Sequence, residues 1–181
     1  MQRFGGLLVP ALIPAFLGLV VFVLPRPVSA QHEHRSPYAG HEQMEISSLS
    51  PDQLQELRTG EGMGLARAAE LNHYPGPKHA LELATELRLS PEQLDRLTAI
   101  RRTMSEEAIA KGAEIIAAER VLTELFRKDK PDDVAVRSQT AVLGALYGEL
   151  RAIHLIAHLG TAEVMTDQQI DAYDGLRGYE P

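Results

Sequence analysis

Two long stretches of helical character, joined by one short turn, dominate this chain of 181 residues. The first, residues 91–127, contains no proline after Pro91 and a single glycine, Gly112. Its apolar residues recur at spacings of three, four or seven, which predicts one long amphipathic helix. They are Leu94, Leu97, Ile100, Met104, Ala108, Ile115, Leu122 and Leu125.

The second stretch, about residues 133–164, places apolar residues on the a and d positions of a heptad, which is typical of a coiled-coil-like seam. They are Val136, Leu143, Leu146, Leu150, Ile153, Ala157, Gly160 and Val164, with Gln139 as the one polar member. Residues 128–133 form a turn with capping chemistry. Because a short turn makes two long helices antiparallel neighbours, we expect a helical hairpin.

A helix-start pattern occurs three times, at residues 49–53, 89–93 and 165–169. Each copy is an apolar residue, a Ser or Thr, two further residues and a Gln, which is a capping box. The cap hydroxyl accepts from the backbone N–H three residues on, and the Gln side chain reaches back to the cap's own N–H. The pairs are Ser50 and Gln53, Ser90 and Gln93, and Thr166 and Gln169.

Shorter helices are predicted around the hairpin, over residues 51–58, 65–71, 78–87 and 167–176, with a turn at residues 72–77. No segment alternates convincingly like a strand, so the predicted fold is all-α, a long antiparallel hairpin with shorter flanking helices. A hairpin leaves apolar surface at its flanks. We therefore expect a homodimer.

The N-terminal residues predict export. Residues 1–30 combine Arg3, an apolar run and a small-residue exit at Ala30, which is typical of a cleavable signal peptide. An uncleaved membrane anchor is the alternative. Cleavage would remove Arg3 and Arg26 and no acid, which changes the net charge from −7 to −9. That charge disfavours nucleic acid as a partner, and the absence of cysteine excludes disulfides and thiol chemistry.

Two capping boxes that bracket a long hairpin behind a signal peptide resemble the LTxxQ-motif family of the bacterial envelope, which includes Spy, CpxP and the zinc-resistance-associated proteins. The resemblance covers residues 78–178, carried by the boxes at 89–93 and 165–169. It implies a cradle-shaped dimer in the periplasm that binds unfolded envelope proteins without ATP under stress. Some members report instead to a membrane sensor kinase, and related proteins sense nickel, cobalt or zinc. Residues 36–77, which include a short-helix extension at residues 49–77, have no counterpart in the best-known members.

The candidate client-binding residues lie on the first hairpin helix. The best-known chaperone members use a basic concave surface, whereas this chain is acidic and has only a local basic cluster, Arg96, Arg101 and Arg102, interleaved with acids. Apolar contact remains available. The residues chosen for client binding are Leu94, Leu97, Ile100, Arg101, Arg102 and Met104.

A metal site is the alternative, with zinc, copper or nickel as the ion, although the chaperone function requires no cofactor. His154 and His158 project together at i and i+4 on a helix and could share a metal ion, and His79 lies near a sensor ligand position. The alternative for the pair is a polar or hydrogen-bonded histidine beside the seam. His32 and His34 lie near the new N-terminus in a flexible arm, residues 31–48, and could form a weak site with its amine.

The sequence does not predict an enzyme. Gly60, Gly62 and Gly64 resemble a nucleotide loop, but no strand precedes them and no Gly-Lys-Ser/Thr follows. No Ser-His-Asp order or His-Glu-x-x-His motif occurs. The leading hypothesis is therefore a periplasmic chaperone-like protein. The alternatives are a metal-binding resistance protein or sensor and an accessory of a membrane sensor kinase.

Overall fold

A computed structural model describes residues 36–128 and 130–179. Within these ranges every element is helical, which confirms the all-α hairpin fold. The helices are α1 (Pro51–Thr59), α2 (Arg67–Glu70), α3 (Pro77–Glu82), α4 (Pro91–Lys128), α5 (Asp133–Val164) and α6 (Asp167–Arg177). The predicted signal peptide, His32 and His34 lie outside the described residues.

All three capping boxes form. In each box the cap hydroxyl accepts from the backbone N–H of the Gln at 3.2–3.3 Å. The Gln Oε1 in turn accepts from the backbone N–H of the cap residue at 2.9–3.0 Å. α1, α4 and α6 therefore begin where the pattern placed them. α1 and α6 end at Gly60 and Gly178, whose left-handed conformations terminate each helix.

Two of the shorter helices are shorter than predicted. α2 has one turn, and α3 ends at Glu82 instead of continuing to Leu87. The chain instead reverses at Arg88, which has a φ of 51°, while the Leu89 N–H donates to the carbonyl of Ala84. The turn buries Leu87 and keeps the hydrogen bond from the Leu87 N–H to the carbonyl of Leu83 at 2.9 Å.

The heptad of α5 packs along α4 as an antiparallel seam. Leu143, Leu150, Ala157 and Val164, each seven residues apart, are all buried. The polar member Gln139 crosses the hairpin, and its Nε2 donates to the backbone carbonyl of Ala118 at 2.7 Å. Gln139 thus fixes the register of the seam at one point by a directional bond.

The N-terminal extension covers one face of this hairpin. Ile46, Leu49 and Leu57 are 4%, 5% and 1% exposed and form a core cluster with Ala108 and Ile115 of α4 and other hairpin residues. Ile46 lies within residues 31–48, the segment predicted as a flexible arm, and packs on the core at the C-terminal end of that segment. Ile46 supplies the apolar contact that orders this segment.

Gly112 explains how the extension comes so close. A Cβ built on this residue would lie 2.0 Å from the carbonyl oxygen of Leu57. α1 therefore crosses α4 by backbone contact, and only glycine leaves room. A mid-helix glycine costs about 1 kcal/mol relative to alanine, so the close crossing must offset that cost.

A buried carboxylate joins the extension to both hairpin helices. Glu119 is 7% exposed, and its two oxygens accept from the hydroxyls of Ser48 at 2.6 Å and Tyr147 at 3.3 Å. Burial, and then the charge of Glu119, raises the pKa of Tyr147 to about 12. The phenol is thus a neutral donor at physiological pH.

One described helix, α5, is long and apolar enough to cross a membrane, judged by length and composition alone. A hairpin helix with an apolar seam meets that test without a membrane. Its buried side chains include His154, His158 and Thr161. These polar groups face protein in this structure.

Candidate functional site

A pocket of about 390 Å³ lies between the N-terminal extension and the C-terminal half of α5. Its outer wall is the loop after α1 together with α2 and the start of α3. Its inner wall includes His154 and His158, and Met104 of α4 also lines it. The size suits a small molecule. Sequence reasoning missed this pocket because its walls come from segments far apart in the chain.

The glycine-rich loop that resembled a nucleotide loop forms one rim of the pocket. Gly60 and Gly64 adopt positive φ values of 68° and 70°, which only glycine adopts without strain. A Cβ on Gly62 would lie 4.0 Å from Nδ1 of His154. The glycines therefore allow the loop backbone to turn tightly beside the histidine pair.

His154 is the most unusual side chain in the pocket wall. It is 3% exposed, and its Nε2 is buried without a hydrogen-bond partner among the described residues. Burial, followed by the proximity of His158, lowers the pKa of His154, while Glu61 opposes the shift. Since a buried polar nitrogen usually has a partner, this one marks a place where a further group is expected.

His158 is buried but partnered. Its Nδ1 lies 2.8 Å from the backbone oxygen of Tyr74 and 3.7 Å from Oε2 of Glu70. A carbonyl can only accept, so Nδ1 carries the proton and donates. Gly76 packs on the ring, because a Cβ there would lie 3.1 Å from Cε1 of His158. His158 is thus hydrogen-bonded, which was one of the alternatives to a metal ligand. Neither His154 nor His158 is exposed to solvent.

Glu70 gathers the polar contacts at the far side of the pocket. Its Oε1 accepts from the hydroxyls of Tyr173 at 2.7 Å and Tyr179 at 3.0 Å, and Arg177 lies 3.4 Å away. Burial, and then the hydrogen bond to Glu70, raises the pKa of Tyr173. A second tie joins His73 to Asp174 at 2.6 Å. These contacts span about 100 residues of sequence, so no local pattern could have revealed them.

Three of the five histidines of the metal hypothesis lie at one pocket, whereas His32 and His34 fall outside the described residues. His79, His154 and His158 all line the pocket. Nδ1 of His79 lies 2.8 Å from Glu82. Within the described residues no group of three or more His, Asp or Glu side chains is arranged to hold a metal ion. Arg67, Lys78 and Arg177 also line the pocket, and their charge opposes a cation.

The candidate client-binding residues separate into three kinds. Leu97 is 0% exposed and belongs to a core cluster with Tyr173 and Val164, so it is a core residue and not client-binding surface. Leu97 is buried because it packs in the same apolar cluster as Tyr173 of α6. Leu94 is partly buried, and Arg101 and Arg102 are exposed.

Ile100 and Met104 line a second feature, an apolar groove of about 330 Å³ between α4 and α5. Ile153, Ile156 and Gly160 form the other side, and a Cβ on Gly160 would lie 3.5 Å from Cδ1 of Ile100. Ile156 is 65% exposed. Met104 lines both the groove and the pocket, so the two features adjoin through this side chain.

Comparison of the chain with protein-family models, with curated proteins and with solved structures found no match. The resemblance to the LTxxQ-motif family therefore rests on the capping boxes and the hairpin.

Proposed function

We propose that this protein binds partly folded proteins reversibly, without nucleotide, on the apolar groove between α4 and α5. The exposed groove carries the proposal, because Ile156 presents most of its side chain to solvent beside Ile100 and Met104. An apolar groove of this kind accepts extended apolar segments without selecting one sequence. Arg101 and Arg102 are exposed on the same helix and Glu107 lines the groove, so the surface around the groove carries mixed charge.

The bacterial envelope is the proposed compartment, and misfolded envelope proteins are the proposed clients. The supporting features are the N-terminal apolar segment and the paired boxes around the hairpin. A homodimer is part of the proposal, because apolar residues stay exposed along both hairpin helices, among them Val121, Phe126 and Val142. A second copy would bury such surface. Sedimentation that shows a compact monomer at micromolar concentration would remove the dimer from the proposal.

Metal binding is the second proposal, favoured by the meeting of His79, His154 and His158 at one pocket. The cationic side chains there count against it, as does the lack, within the described residues, of three ligand side chains arranged to hold a metal ion. Docking on a membrane sensor kinase is a third proposal, with the family resemblance as its support.

Suppression of aggregation by the purified protein tests the first two proposals together. A chemically denatured model protein is diluted with the chain, without ATP, in chelator or with zinc. We expect suppression in both conditions. Ile156→Ser should weaken it, and Val134→Ser is the matched control, because Val134 is 69% exposed on the same helix outside the groove.

Equal activity of the two variants, or no suppression in any condition, would reject groove binding. Zinc binding at micromolar affinity together with zinc-dependent suppression would favour the metal proposal. Alanine variants of His154 or His158 are unsuitable here, because both side chains are buried and their loss would disturb packing.

A further inference from the structure

The pocket between the extension and α5 contains an excess of basic side chains that has no role in the proposed client binding. Its lining carries three basic side chains, Arg67, Lys78 and Arg177, and two acidic ones, Glu61 and Glu70. Lys78 pairs with Glu61 at 3.4 Å, and Arg177 pairs with Glu70 at 3.4 Å. The acids are thus already matched by two of the bases.

Arg67 is the cation left over. Within the part of the chain that the structure describes, it makes no ion pair and no side-chain hydrogen bond. Its guanidinium approaches the rim of the pocket, since a Cβ on Gly64 would lie 3.8 Å from Nη2 of Arg67. An arginine fork suits a carboxylate, which it can bind through two parallel hydrogen bonds.

The inner wall contains the rings of His154 and His158. Nε2 of His154 is buried and has no hydrogen-bond partner among the described residues. Nδ1 of His158 donates to the carbonyl of Tyr74, and Nε2 of His158 has no partner among the described residues. Met104 and Pro77 add apolar lining. The pocket therefore combines an apolar interior, polar nitrogens and one unmatched positive charge.

We propose that this pocket binds a small organic monoanion, a carboxylate attached to an apolar body. Arg67 binds the carboxylate, and the apolar body packs toward Met104, with the histidine nitrogens lining the inner wall. The pocket that His79, His154 and His158 line thus has one more basic than acidic side chain, which favours an anion over a metal cation. A free small acid and the C-terminal carboxylate of a peptide share this chemistry. The proposal does not depend on client binding in the groove.

Histidine ring signals in NMR spectra test the proposal, with 3-phenylpropanoate as the probe. Two compounds of similar shape serve as controls. The amide, 3-phenylpropanamide, is uncharged, and the amine, 3-phenylpropylamine, is positively charged. We expect saturable shifts with the acid at millimolar concentration, and binding weaker by about tenfold or more for the amide and the amine. The peptide N-acetyl-Ala-Ala-Phe, with a free or an amidated C-terminus, forms the second arm. If 3-phenylpropanoate binds more tightly than the peptide with the free C-terminus, the carboxylate comes from a small acid. If the peptide binds more tightly, the carboxylate comes from the C-terminus of a peptide.

Arg67→Gln should weaken binding of the acid by about tenfold or more. Arg96→Gln is the matched control, because Arg96 is an exposed arginine outside the pocket. Arg67 is exposed and its side chain makes no hydrogen bond or ion pair within the described residues, so the variant should keep the fold, which thermal unfolding checks. Equal binding of acid and amide, no saturable shift with any probe, or unchanged binding in Arg67→Gln would each overturn the proposal.

Discussion

The side-chain amides of Gln93 and Gln169 bond to each other across the base of the hairpin. Nε2 of Gln93 donates to Oε1 of Gln169 at 2.8 Å, and Nε2 of Gln169 donates to Oε1 of Gln93 at 3.1 Å. Each Nε2 also donates to a backbone carbonyl, of Val164 and Leu87 respectively. The last residues of two capping boxes therefore tie the start of α4 to the start of α6.

Gln93→Ala should destabilise the fold by about 2–3 kcal/mol, because several partly buried hydrogen bonds are lost together. Gln53→Ala is the matched control. Gln53 holds the same place in its own box, is exposed, and accepts only from the N–H of Ser50. Its loss should cost about 0.5–1 kcal/mol. Urea denaturation gives both values.

A double-mutant cycle over Gln93 and Gln169 should give a coupling energy of about 1 kcal/mol. Additive effects of the two substitutions, or equal costs for Gln93→Ala and Gln53→Ala, would show that the amide pair contributes nothing beyond capping.

Gly112→Ala should destabilise the protein even though alanine is the better helix former. The new Cβ would overlap the Leu57 carbonyl and displace α1 from α4. Gly144→Ala is the control, because Gly144 lies within α5 with nothing within 4 Å of its Cβ position. That change should stabilise by up to about 1 kcal/mol. Equilibrium unfolding in urea measures both, and a stabilised Gly112→Ala would contradict the close crossing.

Acid should destabilise the fold through His154. Its pKa is lowered in the folded protein, so the unfolded chain binds a proton first as the pH falls. The stability that the neutral ring contributes is fully present above the ordinary histidine pKa, about 6.5, and is lost as the pH falls below it. One such group changes the free energy of unfolding by at most about 1.4 kcal/mol per pH unit.

His154→Gln should flatten the dependence of stability on pH between pH 7 and 5, measured by urea denaturation at each pH. His41→Gln serves as the control because His41 is exposed. A pH dependence unchanged in His154→Gln would mean that other groups cause the acid sensitivity.

Glu119→Gln should lower the pKa of Tyr147 from its value of about 12 toward the ordinary value of about 10. Part of the shift should remain, because burial is its larger cause. NMR titration of ring-labelled tyrosine follows the change. Glu114→Gln is the control, since Glu114 is exposed and bonds to Lys111. An unchanged Tyr147 pKa in Glu119→Gln would contradict the described contact.

The two long helices and their hairpin could be predicted from local sequence patterns. Heptad spacing and capping chemistry are local, so α4, α5 and the starts of α1 and α6 lie where those patterns predicted. Local patterns failed where burial overrode them. Leu97 belongs to the core because Tyr173 packs on its cluster, and Ile46 orders a segment that has no periodicity.

Contacts between distant side chains could not be predicted from local patterns. Glu70 and Tyr173 are 103 residues apart, and Tyr74 and His158 are 84 apart, yet each pair is hydrogen-bonded. The sequence shows Gly112 only as a glycine within a helix, and its role became evident from the close approach of the Leu57 backbone. Helix starts depend on neighbours within a few residues, whereas a pocket depends on how distant segments pack. The hairpin could therefore be predicted from the sequence, and the pocket beside His154 could not.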